Sequence, residues 1–366
     1  MNFPATLFGY IARQFLLWFG AVFLLFLMLI FISDFVELTR RAAARPEATV
    51  GILLKMAAFK LPYTAQEVMP FAVLLGSIMA LWSMTRSREL IVARAAGVSV
   101  WQFLAPAIAI AFMIGAIGVT MFNPLAAFTE TEYKQLENNL LKNQTDSFAL
   151  TSSGLWLRQR DHEGTQAVIH AFKLNQPVME LGKVSIFFFR DNDRLIRRLD
   201  ADKAQLEDGR WVLSDVAEWR PERDDSQHHD VLTVPTNLTK QKIEESFATP
   251  DTMSFWTLPS FIDLLEHSGF SAQKHKLYFD SLLARPFLLC AMVLIAAVFS
   301  LRMQRRGGTT AMLIGGVAAG FMLYFVSDVV FALGVSSTIP VALAAWTPAG
   351  ISTLLGMTFL LHLEDG

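Results

Sequence analysis

Charge-free runs divide the chain before any other feature does. Gln14 to Ser33 is 20 residues without a charge, bounded by Arg13 and Asp34. At about 1.5 Å per helical residue it covers a hydrocarbon core of roughly 30 Å. Leu61 to Thr85 carries one charge, Glu67, and Ala95 to Thr129 carries none. Pro286 to Leu301 is shorter, but counted from Tyr278 it spans if Asp280 and Arg285 lie at the interface or face protein. Gly307 to Ser327 and Val329 to Leu361 supply two more, parted near Gly334 to Pro340. The pattern predicts six membrane-spanning helices, three on each side of a polar middle. The first run is too long and too rich in phenylalanine for a cleaved signal, and no small-residue cleavage site follows it.

The middle changes period. Segments GLWLRQ, QAVIHAFKL, GKVSIFFFR, RWVLSDVAEW and HDVLTVPT are short and rich in β-branched and aromatic residues. Turn residues separate them, as at Asp191-Asn192-Asp193 and Asp208-Gly209. This spacing predicts an antiparallel sandwich or jelly roll, followed by a polar helix over Leu258 to Lys276 that leads back to the membrane. The division is 1–129 for the first three spans, 130–276 for the β domain and 277–366 for the last three spans.

Composition agrees with a membrane reading: 53% of residues are hydrophobic, 17% charged, and mean hydropathy is +0.39. Net charge is −2 with scattered basic residues, so no nucleic-acid surface is indicated. The one cysteine, Cys290, lies in an apolar run. A disulfide framework and a zinc pattern are therefore both absent. No GxxxxGK[ST] phosphate loop occurs; Gly307-Gly308-Thr309-Thr310 lacks the lysine and reads as a turn whose threonine caps the fifth span. The chain is not its own ATPase by that route.

Six spans place both termini on one side. That side carries seven basic residues near span ends: Arg13, three arginines in Arg86 to Arg94 and three in Arg302 to Arg306. The opposite short loop has five, Arg40, Arg41, Arg45, Lys55 and Lys60. The count favours cytoplasmic termini and a β domain outside the cytoplasm.

The strip between the second and third spans reads as a helix from Arg86 to Ala96, with Gly97 as its C-terminal cap. Leu90, Val92 and Ala93 make an apolar patch beside Glu89 and Arg94. One reading is an interfacial loop that obeys the positive-inside tendency. The other is a knob that plugs into a soluble partner, as in transporters driven by separate ATPase subunits.

RSRELIVARAAGVS, with MPFAVLLGS in the span before it, resembles the LptF/LptG permeases of lipopolysaccharide export. So do DFVEL after the first span, GLWLR and TNLTKQKI at the two ends of the β region, and AWTP in the last span. The resemblance runs in order along essentially the whole chain, and GLWLR and TNLTKQKI bring it nearer LptG than LptF. It implies six transmembrane helices in two groups of three flanking a periplasmic β jelly-roll-like domain. It further implies a paralogous LptF-like permease, an LptB-like ATPase dimer holding ATP and magnesium, an LptC-like periplasmic bridge, and an inner-membrane location. The chain itself then carries no cofactor, metal or catalytic residue, and its cargo is lipopolysaccharide drawn from the outer leaflet. In the family the strip is the coupling helix; its glutamate maps onto Glu89, with Arg88, Leu90 and Arg94 in support.

Lipid A carries phosphates and acyl chains, so its path needs cations at headgroup height and an apolar groove beyond. Arg40, Arg41, Lys60 and Lys134 fall at the outer ends of spans, and Lys134 matches a basic site beyond the third span in the family. They serve equally as interfacial anchors. One departure stands out: Asp34 takes the place of a headgroup-binding lysine at the end of the first span. Asp34, Glu67 and Asp328 all lie near outer span ends and repel a phosphate unless paired with basic residues or divalent cations. In the run Ile186-Phe187-Phe188-Phe189 one face serves the β core and the other lines an acyl slot, with Val168 and Phe188 expected to point inward. Asn143-Gln144-Thr145 and Asn237-Leu238-Thr239 match the glycosylation pattern by chance in a bacterial inner-membrane protein. Two other classes remain: a lipid-modifying enzyme using Glu67 or Asp328, and an ABC-type lipoprotein-release subunit, which usually has four spans.

Overall fold

The computed structural model describes residues 5–43, 48–95, 97–142, 147–151, 154–160, 166–175, 180–190, 194–207, 209–221, 223–236, 249–267, 271–303 and 309–365. The chain divides into two compact units, one of residues 1–141, 254–256 and 276–366, the other of 142–253 and 257–275. TNLTKQKI beyond Thr236, the Asn143 and Asn237 tripeptides, the Asp191–Asp193 turn and the Gly307-Gly308 pair lie outside the described residues.

The first unit is helical. α1 (Ala5–Ala42), α2 (Val50–Arg86), the short α3 (Glu89–Ala95) and α4 (Val100–Ile117) follow in order. A π turn at Gly118–Phe122 continues α4 into α5 (Asn123–Glu137), and the rod ends in a second π turn, Asn138–Lys142. After the sheet comes α6 (Leu258–His267), which belongs to the second unit, and then α7 (Gln273–Met303), α8 (Thr309–Val335) and α9 (Val341–Asp365) of the first. Among the described residues six rods are long and apolar enough to cross a bilayer: Thr6–Ala42, Val50–Arg86, Val100–Leu140, Gln273–Ser300, Ile314–Val335 and Val341–His362. α4 starts sharply because Ser99 and Gln102 form a reciprocal capping box. Prolines inside α2, α4, α7 and α9 each remove a backbone donor, which apolar helices tolerate when packed neighbours satisfy the freed carbonyl.

The helical core joins Phe15 of α1, Leu74 and Ile78 of α2, Ala107 and Ala111 of α4, and Leu289, Met292, Val293 and Ala296 of α7. α7 is the most enclosed span; α1 and α8 are the least, and they leave apolar side chains such as Leu24, Met28, Phe321 and Phe325 exposed. α8 reaches α2 through two glycines four residues apart. A methyl at Gly320 would lie 2.7 Å from Leu74 Cδ2, and one at Gly316 would overlap the tip of Ile78, so a larger residue at either position makes those α2 side chains shift. The strap Ser254–Trp256 also belongs to this unit. Asn123 accepts a 2.7 Å hydrogen bond from the Phe255 amide, and the Trp256 indole donates to the Thr120 carbonyl at 3.0 Å.

The second unit is a sheet of seven strands: β1 (Ser147–Thr151), β2 (Gly154–Arg160), β3 (Gln166–Asn175), β4 (Glu180–Arg190), β5 (Arg194–Glu207), β6 (Arg210–Arg220) and β7 (Arg223–Pro235). The expected antiparallel sheet domain is present, and two of its strands, β1 and β5, were not among the segments picked out by alternation. Among the described residues each strand pairs with its sequence neighbour in the order β1 to β7, so the roll is laid out as an antiparallel meander. The polar helix is shorter than expected: α6 ends at His267, and α7 begins at Gln273.

One row crosses β4, β5 and β6 where the buried positions change step. Buried positions run Leu181 then Val184 and Ile186 on β4, Leu199 and Ala201 then Ala204 on β5, Trp211 and Leu213 then Val216 on β6. An extra residue on each strand, Lys183, Asp202 and Asp215, takes up the shift, and Lys183 and Asp215 sit at φ +53° and +58°. The three residues stand opposite one another with the register unchanged on either side, so neighbouring strands change step together and the same face stays buried across the row. The register shifts themselves lie at Phe188/Phe189 between β4 and β5 and at Glu218/Arg220 between β6 and β7. Leu199 is fully buried on that face, so Leu199→Ala should lower the local stability of β4 to β6 by about 2–5 kcal/mol, read as faster amide hydrogen exchange there in the full-length chain.

Candidate functional site

Seven residues are too few to hold a helix in water, so α3 depends on its seat. Leu90 is 3% exposed and packs with Ile11 of α1, Leu81 and Met84 of α2, Phe103 and Leu104 of α4, Leu294 of α7 and Leu360 of α9. Arg88 enters at φ +63°, and Gly97 ends the helix at φ +85°, where the Val98 amide donates to the Ala93 carbonyl at 3.1 Å. Glu89 Oε1 accepts a 3.1 Å hydrogen bond from the Tyr10 hydroxyl; Oε2 is buried and has no partner among the described residues. Val92 points the other way and is 67% exposed. The Arg94 side chain lies outside the described residues.

Near the ends of α1 and α2 and on α5, each of the four candidate cations meets a carboxylate of this chain. Lys60 of α2 bonds Asp34 of α1 at 2.7 Å, and Arg41 of α1 bonds Glu137 of α5 at 2.7 Å, with the Tyr133 hydroxyl donating to the same oxygen at 3.4 Å. Lys134 stands 3.8 Å from Glu130, one turn away on α5, and Arg40 makes an exposed two-pronged contact with Glu37. Asp34 is thus neutralised within the fold, and two of the four pairs tie separate rods together.

A cavity of about 360 Å³ lies among α2, α7, α8 and α9. Arg285 of α7 reaches into its wall, donating from Nη1 to Gln66 Oε1 and from Nη2 to Glu67 Oε1, both at 2.9 Å. Glu67 is therefore held by a guanidinium on a facing rod. Asp328 lines the same cavity from α8. Among the described residues no group of three or more His, Cys, Asp or Glu side chains could hold a metal ion.

In the sheet the two expected groove positions separate. Val168 pairs with Phe187, whereas Ala167 pairs with Phe188 and Ile169 with Ile186. Side chains alternate with a period of two, so Val168 and Phe188 point to opposite faces; Phe188 shares the buried face of Ile186, and the inward expectation for Val168 is corrected. The buried face is filled by Ile169, Ile186, Leu199 and Leu213. At its edge the Arg197 guanidinium stacks 4.4 Å over the Phe188 ring and lies 4.0 Å from the carboxylate of Glu218, which is bound by Arg220 at 2.6 Å and approached by His229 at 3.4 Å. Burial pushes the Glu218 carboxyl up, but the Arg220 hydrogen bond and the charges of Arg197 and Arg220 outweigh it and hold the group below the usual range. Burial also lowers the Arg197 guanidinium.

The model of the family described as lipopolysaccharide export system permease LptF/LptG matches residues 9–362. The chain belongs to the LptF/LptG family. The lipopolysaccharide export system permease protein LptG of Escherichia coli strain K12 is 26% identical over 310 residues, covering 82% of this chain and 83% of that protein. LptG of Haemophilus influenzae is 22% identical over 357 residues, covering 94% and 95%. As a lipopolysaccharide export permease with six apolar rods, the chain is a multi-pass membrane protein, and the family's name makes lipopolysaccharide its substrate.

Three features of this LptF/LptG chain escape a reading of the sequence: Tyr10 as the partner of Glu89, Gln66 and Arg285 in the cavity wall, and the cluster around Glu218. The first two join residues 79 and more than 200 positions apart, and the third gathers Arg197, Arg220 and His229 from three neighbouring strands. Glu218 sets a pH dependence. A carboxyl depressed in the fold contributes stability that is present above its unfolded value and lost as pH falls through the folded one. The sheet should hold its stability near neutrality and lose part of it on acidification below the usual carboxylate range, while Glu218→Gln should weaken it at neutral pH and flatten that acid limb, measured by hydrogen exchange of the full chain across pH.

Proposed function

We propose that this permease is the LptG-like half of an ATP-driven lipopolysaccharide exporter in a bacterial inner membrane, with cytoplasmic termini and a periplasmic sheet domain. The observation that carries the reading is the seating of α3: Leu90 is locked into a cluster drawn from five rods, while Val92 is left exposed. A seven-residue helix so arranged is a handle. A push on its outer face reaches α1, α2, α4, α7 and α9 through Leu90 rather than bending a loop, and Glu89 couples the handle to α1 through Tyr10.

The motor is an LptB-like ATPase dimer that holds ATP and magnesium, since this sequence has no phosphate loop. An LptF-like paralogue completes the membrane cavity, and an LptC-like protein receives the lipid. Lipopolysaccharide enters from the outer leaflet. Of the four candidate cations Arg40 is the most accessible, with 77% of its side chain exposed and a solvent-screened partner, so it is the first to exchange its carboxylate for a lipid phosphate. Lys60 and Arg41 hold rods together first and meet headgroups only when those pairs open. Acyl chains follow the edge of the sheet near Phe188, because the buried face itself is full. The enzyme reading loses ground here, since Glu67 is engaged by Arg285.

The test is purification of the chain from its native membrane and assay of the complex in proteoliposomes. An ATPase dimer should co-purify. Glu89→Ala should leave assembly and hydrolysis in place but lower lipopolysaccharide release by about tenfold or more, the scale expected when a hydrogen bond to a charged group worth ~1.4 kcal/mol or more is lost. Absence of any ATPase, or full release by the variant, would sink the reading.

A further inference from the structure

The cavity among α2, α7, α8 and α9 has a chemistry that the transport reading does not use. Two carboxylates, Glu67 and Asp328, and one guanidinium, Arg285, line it. Arg285 is committed to Glu67 and Gln66 at 2.9 Å. Asp328 lines it as an exposed side chain and has no ion pair among the described residues, so its charge is not balanced within this chain. Within a membrane-spanning segment a carboxylate is costly unless it meets a cation or faces a polar cavity. A second group is also unmatched: Gln66 is 5% exposed, and its Nε2 is a buried donor without an acceptor among the described residues. An unmet buried donor costs about 1–3 kcal/mol.

Both unmatched groups suit one kind of molecule. We propose that this cavity is a binding site for an amine amphiphile: an ammonium group for Asp328, an oxygen acceptor close to it for Gln66 Nε2, and an apolar body against Phe71, Leu288 and Leu323. Tyr63, Tyr278 and Tyr324 add aromatic rings to the lining, a favourable surround for an ammonium. The volume of about 360 Å³ lies at the small end of ligand pockets and takes a single headgroup-sized body. A glycolipid with several acyl chains exceeds the volume that this chain alone encloses. α8 forms part of the cavity's lining, from Gly320 to Phe331, so a ligand held there touches α2, α7 and α8 together. Aminoalcohol phospholipid and free alkylamine share this chemistry.

A diazirine-bearing dodecylamine and the matching alcohol are the probes, applied to the full-length chain in phosphatidylglycerol nanodiscs with labelled peptides mapped by mass spectrometry. The amine should label α2 and α8 peptides around Gln66 and Asp328 at least about tenfold more than the alcohol, equivalent to ~1.4 kcal/mol. Asp328→Asn should abolish the difference and Asp328→Glu should keep it. If Asp328→Asn does not fold, Gln66→Leu should lower amine labelling instead. Competition by phosphatidylethanolamine assigns the site to a lipid headgroup, and lack of competition assigns it to free amines. Equal labelling by both probes, or labelling indifferent to Asp328→Asn and to Gln66→Leu, would overturn the proposal.

Discussion

A charge carried into hydrocarbon must find a partner there, and this requirement organises the helical unit. Asp34 meets Lys60 across α1 and α2, Arg41 meets Glu137 across α1 and α5, and Glu67 meets Arg285 across α2 and α7. Every one of these pairs joins two different rods. The same side chains that interrupt the apolar runs therefore lock the rods in register, while apolar packing around Leu74, Ala111 and Val293 fills the space between them. Removing one partner leaves the other charge uncompensated, which is why such pairs hold geometry more firmly than their modest net energy suggests.

A block fastened in this way moves as a unit, and α3 is where force enters it. Leu90 belongs to a cluster shared by five rods, and Glu89 reaches α1 through Tyr10. The handle is short, bounded at both ends by left-handed residues at Arg88 and Gly97, and apolar at Val92 where a partner would grip. The sheet unit stays coherent through a different device, the row of Lys183, Asp202 and Asp215 at which neighbouring strands change step together and keep one face buried.

The six spans were legible because a charge-free run of bilayer length is rare outside a membrane. The strip at α3 was legible because charge returns abruptly and Gly97 marks its end. β5 was not, since Arg197, Arg198, Asp200, Asp202 and Lys203 crowd it and its buried side chains, Leu199, Ala201 and Ala204, change parity half-way. A run of phenylalanines likewise assigns no face by itself; Val168 could be placed only once its pairing with Phe187 was known. The headgroup candidates were correctly seen as basic residues at span ends, but the carboxylates they face lie as many as 96 residues away, beyond any local pattern. Asp34 looked like an obstacle to a phosphate until Lys60 appeared opposite it.

All of this turns on which side of the membrane the α3 handle occupies. A single cysteine at Val92, in a chain whose Cys290 has been replaced, can be probed with a membrane-impermeant maleimide on spheroplasts. The account predicts no labelling until the membrane is opened and rapid labelling afterwards; prompt labelling of intact spheroplasts would place the handle outside, away from any cytoplasmic motor, and contradict it.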